Sequence, residues 1–154
     1  RPSLILVLDA SVVVKWFVPE EKQLEADALV DLTTPLAAPR LVVAEVATAL
    51  SKKVRLENLS VARAQSSLAL WLEQLIPQGR PVLYDDEPLL AAAMDLSVKL
   101  NHQLSDCIYL ALAQKLDARL VTADVRFVSK AALLGGGRVI ALGDPISAGS
   151  GGRR

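Results

Sequence analysis

Several features are scarce in this sequence, and each scarcity excludes a class of protein. A single cysteine, Cys107, leaves no internal disulfide framework, as is usual for proteins of a reducing cytoplasm. No apolar run approaches the roughly 18 residues that a membrane-spanning helix needs. Basic and acidic residues balance at 17 each, so the chain lacks the overall basic charge of a histone-like DNA-binding protein. We therefore expect a cytoplasmic protein without a membrane segment.

The 154 residues are most simply one domain, long enough to bury a core without disulfides. We place a single domain at residues 1–145 and a flexible tail, rich in glycine, serine and arginine, at residues 146–154. Apolar residues make up 52% of the chain, which is high for so small a domain. Apolar surface in excess of what a core needs is typical of proteins that bind a partner.

Residues 4–11, with the sequence LILVLDAS, combine an apolar run with an acid that directly follows it. The apolar run is typical of a strand covered on both faces, as in a parallel sheet. Asp9 follows that run, and ligands of open α/β sheets bind beyond the carboxyl ends of the strands. Asp9 is therefore a candidate site residue, although an aspartate just before a helix also serves as an N-cap.

Further apolar runs alternate with helical patterns along the chain. Strands are predicted at residues 35–39, 81–84, 119–124 and 138–142, and helices at 19–32, 40–55, 60–76, 85–100 and 105–117. The strand at 35–39 is expected at a sheet edge, because proline cannot donate to a ladder of hydrogen bonds. Trp71 is expected in the core. The alternation as a whole predicts an α/β fold.

Three further acids stand out by their positions. Glu45 lies in an apolar helix that we expect to be buried on most faces, where an ionised side chain is costly without a cation or a donor. Asp106 follows Ser105, the expected N-cap of a helix, and Asp124 ends a strand as Asp9 does. Ordinary explanations exist for two of them: a buried salt bridge for Glu45 and a helix start for Asp106.

The four acids together are harder to explain without a metal ion. If they converge, each close pair repels by about 4 kcal/mol at about 4 Å and an effective dielectric near 20. Carboxylate oxygens without histidine or cysteine select Mg²⁺ or Mn²⁺ over zinc. If Asp9, Glu45, Asp106 and Asp124 do converge, we therefore expect them to share such a divalent cation.

Four segments carry a resemblance to a known family. They are DASVVVKWFVPEE, PRLVVAEVATAL, DCIYLALA and LVTAD, and in this order they cover most of residues 4–142. With these motifs the sequence resembles PIN-domain proteins, and more narrowly the VapC-type toxins of bacterial toxin–antitoxin modules.

The resemblance implies a PIN-like three-layer α/β/α sandwich with a central parallel five-stranded sheet. It also implies endoribonuclease activity at a pocket where the four acids hold Mg²⁺ or Mn²⁺. Ser11 and Thr122 stand where the family uses supporting hydroxyls. Some relatives carry a further acid a few residues after the last one, whereas VRFVSKAA follows Asp124 here, so a fully occupied second metal site is not expected.

The partners implied by the resemblance are an RNA substrate, a cognate VapB-type antitoxin and a second copy of the chain in a homodimer. An amphipathic segment of the antitoxin could lie in a groove formed by Trp16, Phe17 and Val18 with the helix of Leu24 and Leu29. Ordinary core packing explains these residues equally well. Phosphate contacts have several basic candidates, none of which is favoured: Lys15, Arg40, Lys52, Lys53, Arg55 and Arg126.

Other functions fit the sequence less well. A receiver domain needs a pair of acids after its first strand, and a phosphatase of the DxD class needs an acid where Ser11 stands. A serine hydrolase would depend on His102, the single histidine, and the sequence has no GxSxG segment, so we expect His102 to be an ordinary loop residue. The main alternative is a catalytically inactive PIN-like binding module. A rise of the melting temperature with Mn²⁺ separates the two.

Overall fold

The computed structural model describes residues 4–31 and 33–146, in which five parallel strands form one central sheet. The order across the sheet is β3-β2-β1-β4-β5. The strands are β1 Leu6–Leu8, β2 Leu36–Pro39, β3 Val82–Tyr84, β4 Arg119–Thr122 and β5 Val139–Ala141. The predicted α/β sandwich with a parallel five-stranded sheet is confirmed.

Helices pack against this sheet and connect its strands. They are α1 Ala10–Val13, α2 Gln23–Val30, α3 Leu41–Arg55, α4 Val61–Leu70, α5 Leu90–Leu100, α6 Leu104–Lys115 and α7 Val125–Ala131. Helix α6 contacts β1, β2 and β4, and all of its residues from Cys107 to Ala113 are buried because this stretch is uncharged and mostly apolar. Within the described ranges, every helix is too short or too polar to cross a bilayer.

The strand order creates a switch point beside β1. The chain continues from β1 to β2 and β3 on one side of the sheet, and then adds β4 and β5 on the other side. A crevice opens beyond the carboxyl ends of the strands where the direction of winding reverses, and such crevices bind ligands. Asp9 directly follows β1, and Asp124 comes two residues after β4. The topology therefore places both acids at this crevice.

Two predictions of local structure were wrong. Strand β2 lies inside the sheet and not at an edge, because its proline residue Pro39 is the last of the strand. The hydrogen bonds to β3 continue past Pro39 through the amide of Arg40, which donates to the carbonyl of Tyr84 at 2.8 Å. Ser105 is not an N-cap, because α6 begins at Leu104 and Gln103 precedes it.

Helices α2 and α3 also differ from expectation. Helix α2 begins at Gln23 and not near Pro19, after Lys22 in the left-handed conformation. Helix α3 buries only Val42, Val46 and Leu50, which follow each other at intervals of four residues and so form a single stripe. The expected burial of α3 on most faces was therefore wrong, because the residues beside this stripe, such as Leu41, Val43 and Ala49, are only partly buried against the core. Helix α7 was not predicted.

The residues expected to form a groove around Trp16 do not form one, because most of them pack in or against the core. Phe17, Val18 and Leu29 are buried, and the Trp16 indole donates a hydrogen bond to the carbonyl of Ala26 at 2.8 Å. Leu24 is 82% exposed and faces away from them. Core packing is thus the correct explanation of Phe17, Val18 and Leu29, but not of Leu24. Trp71 is fully buried, as predicted. The predicted tail lies outside the described residues, apart from Ile146.

Candidate active site

Asp9 lies at the bottom of the crevice, with only 7% of its surface exposed. Ser11 donates a hydrogen bond of 2.5 Å to Asp9 Oδ1, and the Thr122 hydroxyl lies near this carboxylate. Burial raises the pKa of Asp9 to about 6, against the lowering effect of these two hydroxyls, and the nearby Asp106 raises it further. Asp9 does not cap helix α1 through its side chain. Helix capping therefore does not explain the position of this carboxylate, which remains a candidate site group.

Ser11 and Thr122 connect Asp9 to the loop that follows β4. The amide of Ala123 donates to Ser11 Oγ at 3.0 Å, and the amide of Asp124 donates to Thr122 Oγ1 at 3.0 Å. Ser11 thus binds the Asp9 carboxylate and the backbone that follows β4, whereas Thr122, the last residue of β4, accepts from the backbone two residues further along its own segment. The two residues fix the ends of β1 and β4 relative to each other.

Glu45 enters the site from α3 and is held by α6. The Tyr109 hydroxyl donates to Glu45 Oε1 at 2.6 Å. Partial burial raises the pKa of Glu45, the hydrogen bond from Tyr109 lowers it, and the negative charges of Asp106 and Asp86 raise it. The partner of Glu45 is therefore a neutral phenol, and no basic residue among those that the structure describes forms the buried salt bridge considered from the sequence.

Asp106 lies between the other acids, in the first turn of α6. Its charge acts on both Asp9 and Glu45 and raises the pKa of each, after the larger effect of burial. Its Oδ2 atom lies 2.6 Å from His102 Nε2 and accepts a hydrogen bond of 3.1 Å from the amide group of Gln103. Asp106 thus contacts His102 and Gln103 directly and acts on Asp9 and Glu45 through its charge.

Asp124 completes the group from the start of α7. Its Oδ1 atom accepts hydrogen bonds from the amides of Arg126 at 3.0 Å and Phe127 at 3.3 Å, so it is the N-cap of this helix. One ligand atom from each of His102, Asp106 and Asp124 lies within 4.8 Å of the others. The structure therefore brings Asp124 to Asp106 and brings Asp106 to Asp9 and Glu45.

His102 is the residue of the site that sequence reasoning missed. It lies in the loop between α5 and α6, as expected, but its side chain contacts Asp106 and stacks on Phe127 with the ring centres 4.6 Å apart. The expectation that it is an ordinary loop residue was wrong. Its position four residues before Asp106 was the one signal in the sequence, and a lone histidine near a helix start is not specific enough to be informative.

The charges of the site fit a divalent cation. Among residues 4–31 and 33–146, no lysine or arginine forms an ion pair with Asp9, Glu45, Asp106 or Asp124. Nearby basic side chains are paired elsewhere: Lys15 and Lys53 with Glu20, and Arg40 with Asp85. A buried carboxylate with a raised pKa, surrounded by like charges, is stabilised by a cation held between them. The residues present therefore suit Mg²⁺ or Mn²⁺.

Comparison with known families agrees with this chemistry. The PIN domain model matches residues 6–133, and the chain therefore belongs to the PIN-domain family. It is 31% identical over 126 residues to Ribonuclease VapC3 of Pyrobaculum aerophilum, which corresponds to 81% of this chain and 93% of that protein. The resemblance to PIN-domain and VapC-type proteins noted in the four motifs is confirmed.

Solved structures share the fold at lower identity. PAE2754 from Pyrobaculum aerophilum superposes with a TM-score of 0.67 and 22% identity, over 90% of this chain and 84% of that one. A toxin–antitoxin complex from Klebsiella pneumoniae gives a TM-score of 0.56 and 17% identity, over 88% of this chain and 95% of that one. At these identities the two structures support the fold alone.

Proposed function

We propose that this chain is a metal-dependent endoribonuclease and acts as the toxin of a VapBC-type toxin–antitoxin module. The observation that supports the proposal is a group of acids in which Asp106 lies close to Asp124 and its charge acts on Asp9 and Glu45. No lysine or arginine from the described residues forms an ion pair with these acids. The name of the similar curated protein, Ribonuclease VapC3, supports RNA as the substrate class. Phosphodiester hydrolysis is a reaction that carboxylate-bound divalent ions assist.

Asp9 and Asp106 are the proposed principal ligands of Mg²⁺ or Mn²⁺, and Glu45 and Asp124 complete the set. Asp9 is assigned this role because it is the most buried of the four acids and because burial raises its pKa to about 6. Asp106 is assigned it because its charge acts on two of the other three acids. The chemistry supplied by the cation, when bound, is the acidification of a water and positive charge beside the phosphate oxygens.

The remaining side chains position these acids. Ser11 and Thr122 hold Asp9 and tie it to the loop of Asp124. Tyr109 fixes Oε1 of Glu45, and the raised pKa of Glu45 suits a group that orients a water and accepts its proton. Fixing the acids before substrate arrives avoids reorganising them during the reaction.

Cleavage of purified total RNA tests the proposed activity. We expect cleavage with Mg²⁺ or Mn²⁺, none with a chelator, and none by Asp9→Asn. Asp85→Asn is the matched control, because Asp85 is an exposed aspartate paired with Arg40 outside the acid group. Cleavage by Asp9→Asn at the rate of the unmodified chain would show that the assignment of the site is wrong.

A catalytically inactive PIN-like binding module is the alternative, and metal binding separates it from a nuclease. Mn²⁺ should raise the melting temperature of a chain with a functional metal site, because an ion that binds only the folded state stabilises that state. We expect this shift in the unmodified chain and not in Asp9→Asn. Intact RNA together with no shift would favour the binding module.

An antitoxin partner is the second part of the proposal, supported by the fold shared with a toxin–antitoxin complex. The exposed side of α3 and helix α4 form an apolar groove, which an amphipathic helix of the partner would cover. Its lining residues are Ala47, Leu50, Ser51, Val54, Arg55, Val61, Ala64, Gln65 and Leu68. Co-expression with the neighbouring small reading frame, followed by gel filtration, tests for this complex and for the proposed homodimer, and the absence of a stable complex contradicts the partner assignment.

A further inference from the structure

The part of the site around His102 differs chemically from the rest. Asp9 and Glu45 offer oxygen ligands only, whereas His102 offers a nitrogen beside the oxygens of Asp106 and Asp124. His102 is the single histidine of the sequence, and it lies within 4.8 Å of two acids of the site. A site with an imidazole ligand and one with carboxylates alone prefer different ions.

The distances around His102 suit a bound ion. Nε2 of His102 and Oδ2 of Asp106 are 2.6 Å apart, which is a hydrogen-bond distance. Two adjacent ligands about 2.1 Å from an ion are about 3 Å apart, and two opposite ones about 4 Å. Small side-chain movements would therefore admit an ion between these atoms, with the neutral imidazole binding it through Nε2 and carrying its one proton on Nδ1.

Asp124 faces this position with one oxygen available. Both of its helix-capping hydrogen bonds, from Arg126 and Phe127, end on Oδ1. These bonds fix the carboxylate group and leave Oδ2 as the oxygen that can bind an ion. The third ligand is therefore already oriented by the start of α7.

The imidazole ring of His102 is also held in place. It stacks on Phe127 with an angle of 23° between the rings. On the backbone side, the His102 amide donates to the carbonyl of Ser97 at 3.0 Å, and the Ser97 hydroxyl donates to the carbonyl of His102 at 2.5 Å. A ring held by stacking and by the hydrogen bonds of its own backbone is a preorganised ligand, because it loses little conformational entropy when a metal binds.

We infer that His102, Asp106 and Asp124 form a second metal position that contains a nitrogen ligand, adjacent to the all-oxygen position of Asp9 and Glu45. Asp106 is shared by the two. The inference rests on the proposed metal-dependent function and adds a direct ligand, His102, where the segment VRFVSKAA supplies no further acid. An imidazole ligand favours Mn²⁺ or a later first-row ion over Mg²⁺ at this position.

Pulsed electron paramagnetic resonance of the chain loaded with Mn²⁺ alone tests the inference, because it detects ¹⁴N coupling from a bound imidazole. We expect this coupling in the unmodified chain. His102→Phe keeps an aromatic ring against Phe127 but has no nitrogen, and His102→Gln can still donate a hydrogen bond to Asp106. The coupling should be lost in both variants, with Mn²⁺ binding to the weaker of the two positions reduced at least about 10-fold.

Gln103→Ala is the matched control, because it removes the other side-chain donor to Oδ2 of Asp106 and leaves the imidazole. We expect it to retain the nitrogen coupling. The absence of coupling in the unmodified chain overturns the inference. Mn²⁺ binding by His102→Gln as tight as in the unmodified chain also overturns it, because His102 would then act by hydrogen bonding alone.

The readout separates this inference from the proposed nuclease activity. Nitrogen coupling in a chain that cleaves no RNA supports the metal position and contradicts the activity. RNA cleavage that depends on Asp9 but proceeds without nitrogen coupling supports the activity and contradicts the role of His102.

Discussion

The Tyr109 hydroxyl lies 2.6 Å from Oε1 of Glu45 and joins helix α6 to helix α3 across the site. Tyr109 is almost completely buried, and burial together with the charge of Glu45 raises the pKa of its phenol far above the ordinary value. The phenol therefore stays protonated near neutral pH and donates a hydrogen bond to Glu45. Glu45 is thus oriented by a neutral group, so the negative charge of the Glu45 carboxylate is not neutralised by its hydrogen-bond partner.

Tyr109→Phe removes this donor and leaves the aromatic ring. We expect kcat for RNA cleavage to fall about 10-fold with little change in KM, because the loss of a supporting hydrogen bond disorders a reacting carboxylate. The free energy of unfolding should change by only about 1 kcal/mol, since a single hydrogen bond is removed. Steady-state cleavage kinetics and urea unfolding measure the two quantities. An unchanged kcat would mean that the orientation of Glu45 is unimportant.

Asp9→Asn should stabilise the chain in the absence of metal, in a manner that depends on pH. The pKa of Asp9 is about 6 in the folded state and 3.8 in the reference state, so its favourable contribution is complete below pH 3.8 and is lost as the pH rises through about 6. Above that range the charged carboxylate costs up to about 3 kcal/mol. Asparagine carries no charge, and the variant should therefore unfold at a higher urea concentration at pH 7.5.

Urea unfolding with a chelator at pH 5 and pH 7.5 measures this effect. The advantage of Asp9→Asn should shrink at pH 5, where most of the native Asp9 population is protonated. Equal destabilisation by the substitution at both pH values would show that burial does not raise the pKa of Asp9 in the folded chain.

Glu20→Gln should destabilise the fold above pH 5 by about 1 to 3 kcal/mol, because it leaves the buried ammonium group of Lys15 without its anion. Partial burial raises the pKa of Glu20, but hydrogen bonds and charges of Lys53 and Lys15 outweigh it and leave the pKa below 4.5. The contribution of Glu20 is therefore present above pH 4.5 and lost as the pH falls. Thermal unfolding at pH 7 and pH 3 measures it, with the exposed Glu21→Gln as control. A penalty of equal size at pH 3 would contradict the ion-pair explanation.

Val61→Asp should prevent assembly with the antitoxin while leaving the fold intact. Val61 is 62% exposed on the groove between α3 and α4, so a carboxylate there is solvated in the free chain and is buried unpaired in the complex. Gel filtration after co-expression measures the assembly. Leu133→Asp is a control, because Leu133 is 81% exposed and does not line the groove. Loss of the complex in both variants, or in neither, would argue against this groove as the binding surface.

The sequence predicted the features that depend on local pattern. Apolar runs located the strands, and the acids after β1 and β4 followed from the rule that parallel strands present their carboxyl ends at one edge. Features that depend on packing were missed. The edge position of β2 was wrong because proline at the last residue of a strand disturbs little, and the burial of α3 was overestimated because apolar content does not reveal which neighbours exist.

His102 shows why part of the site could not be predicted. Its contact with Asp106 depends on how the loop leaves α5, and its ring orientation depends on Phe127 in α7, a helix absent from the sequence prediction. A histidine four residues before an acid is common and usually carries no such contact. Only the three-dimensional arrangement adds a nitrogen to the set of carboxylates.

Asp106→Asn tests the central claim most directly, because Asp106 is the acid through which the others are connected. Single-turnover cleavage of RNA with Mg²⁺ and with Mn²⁺ should be undetectable in this variant, while its circular dichroism spectrum matches that of the unmodified chain. Cleavage by folded Asp106→Asn at the rate of the unmodified chain would contradict a shared cation as the basis of the activity.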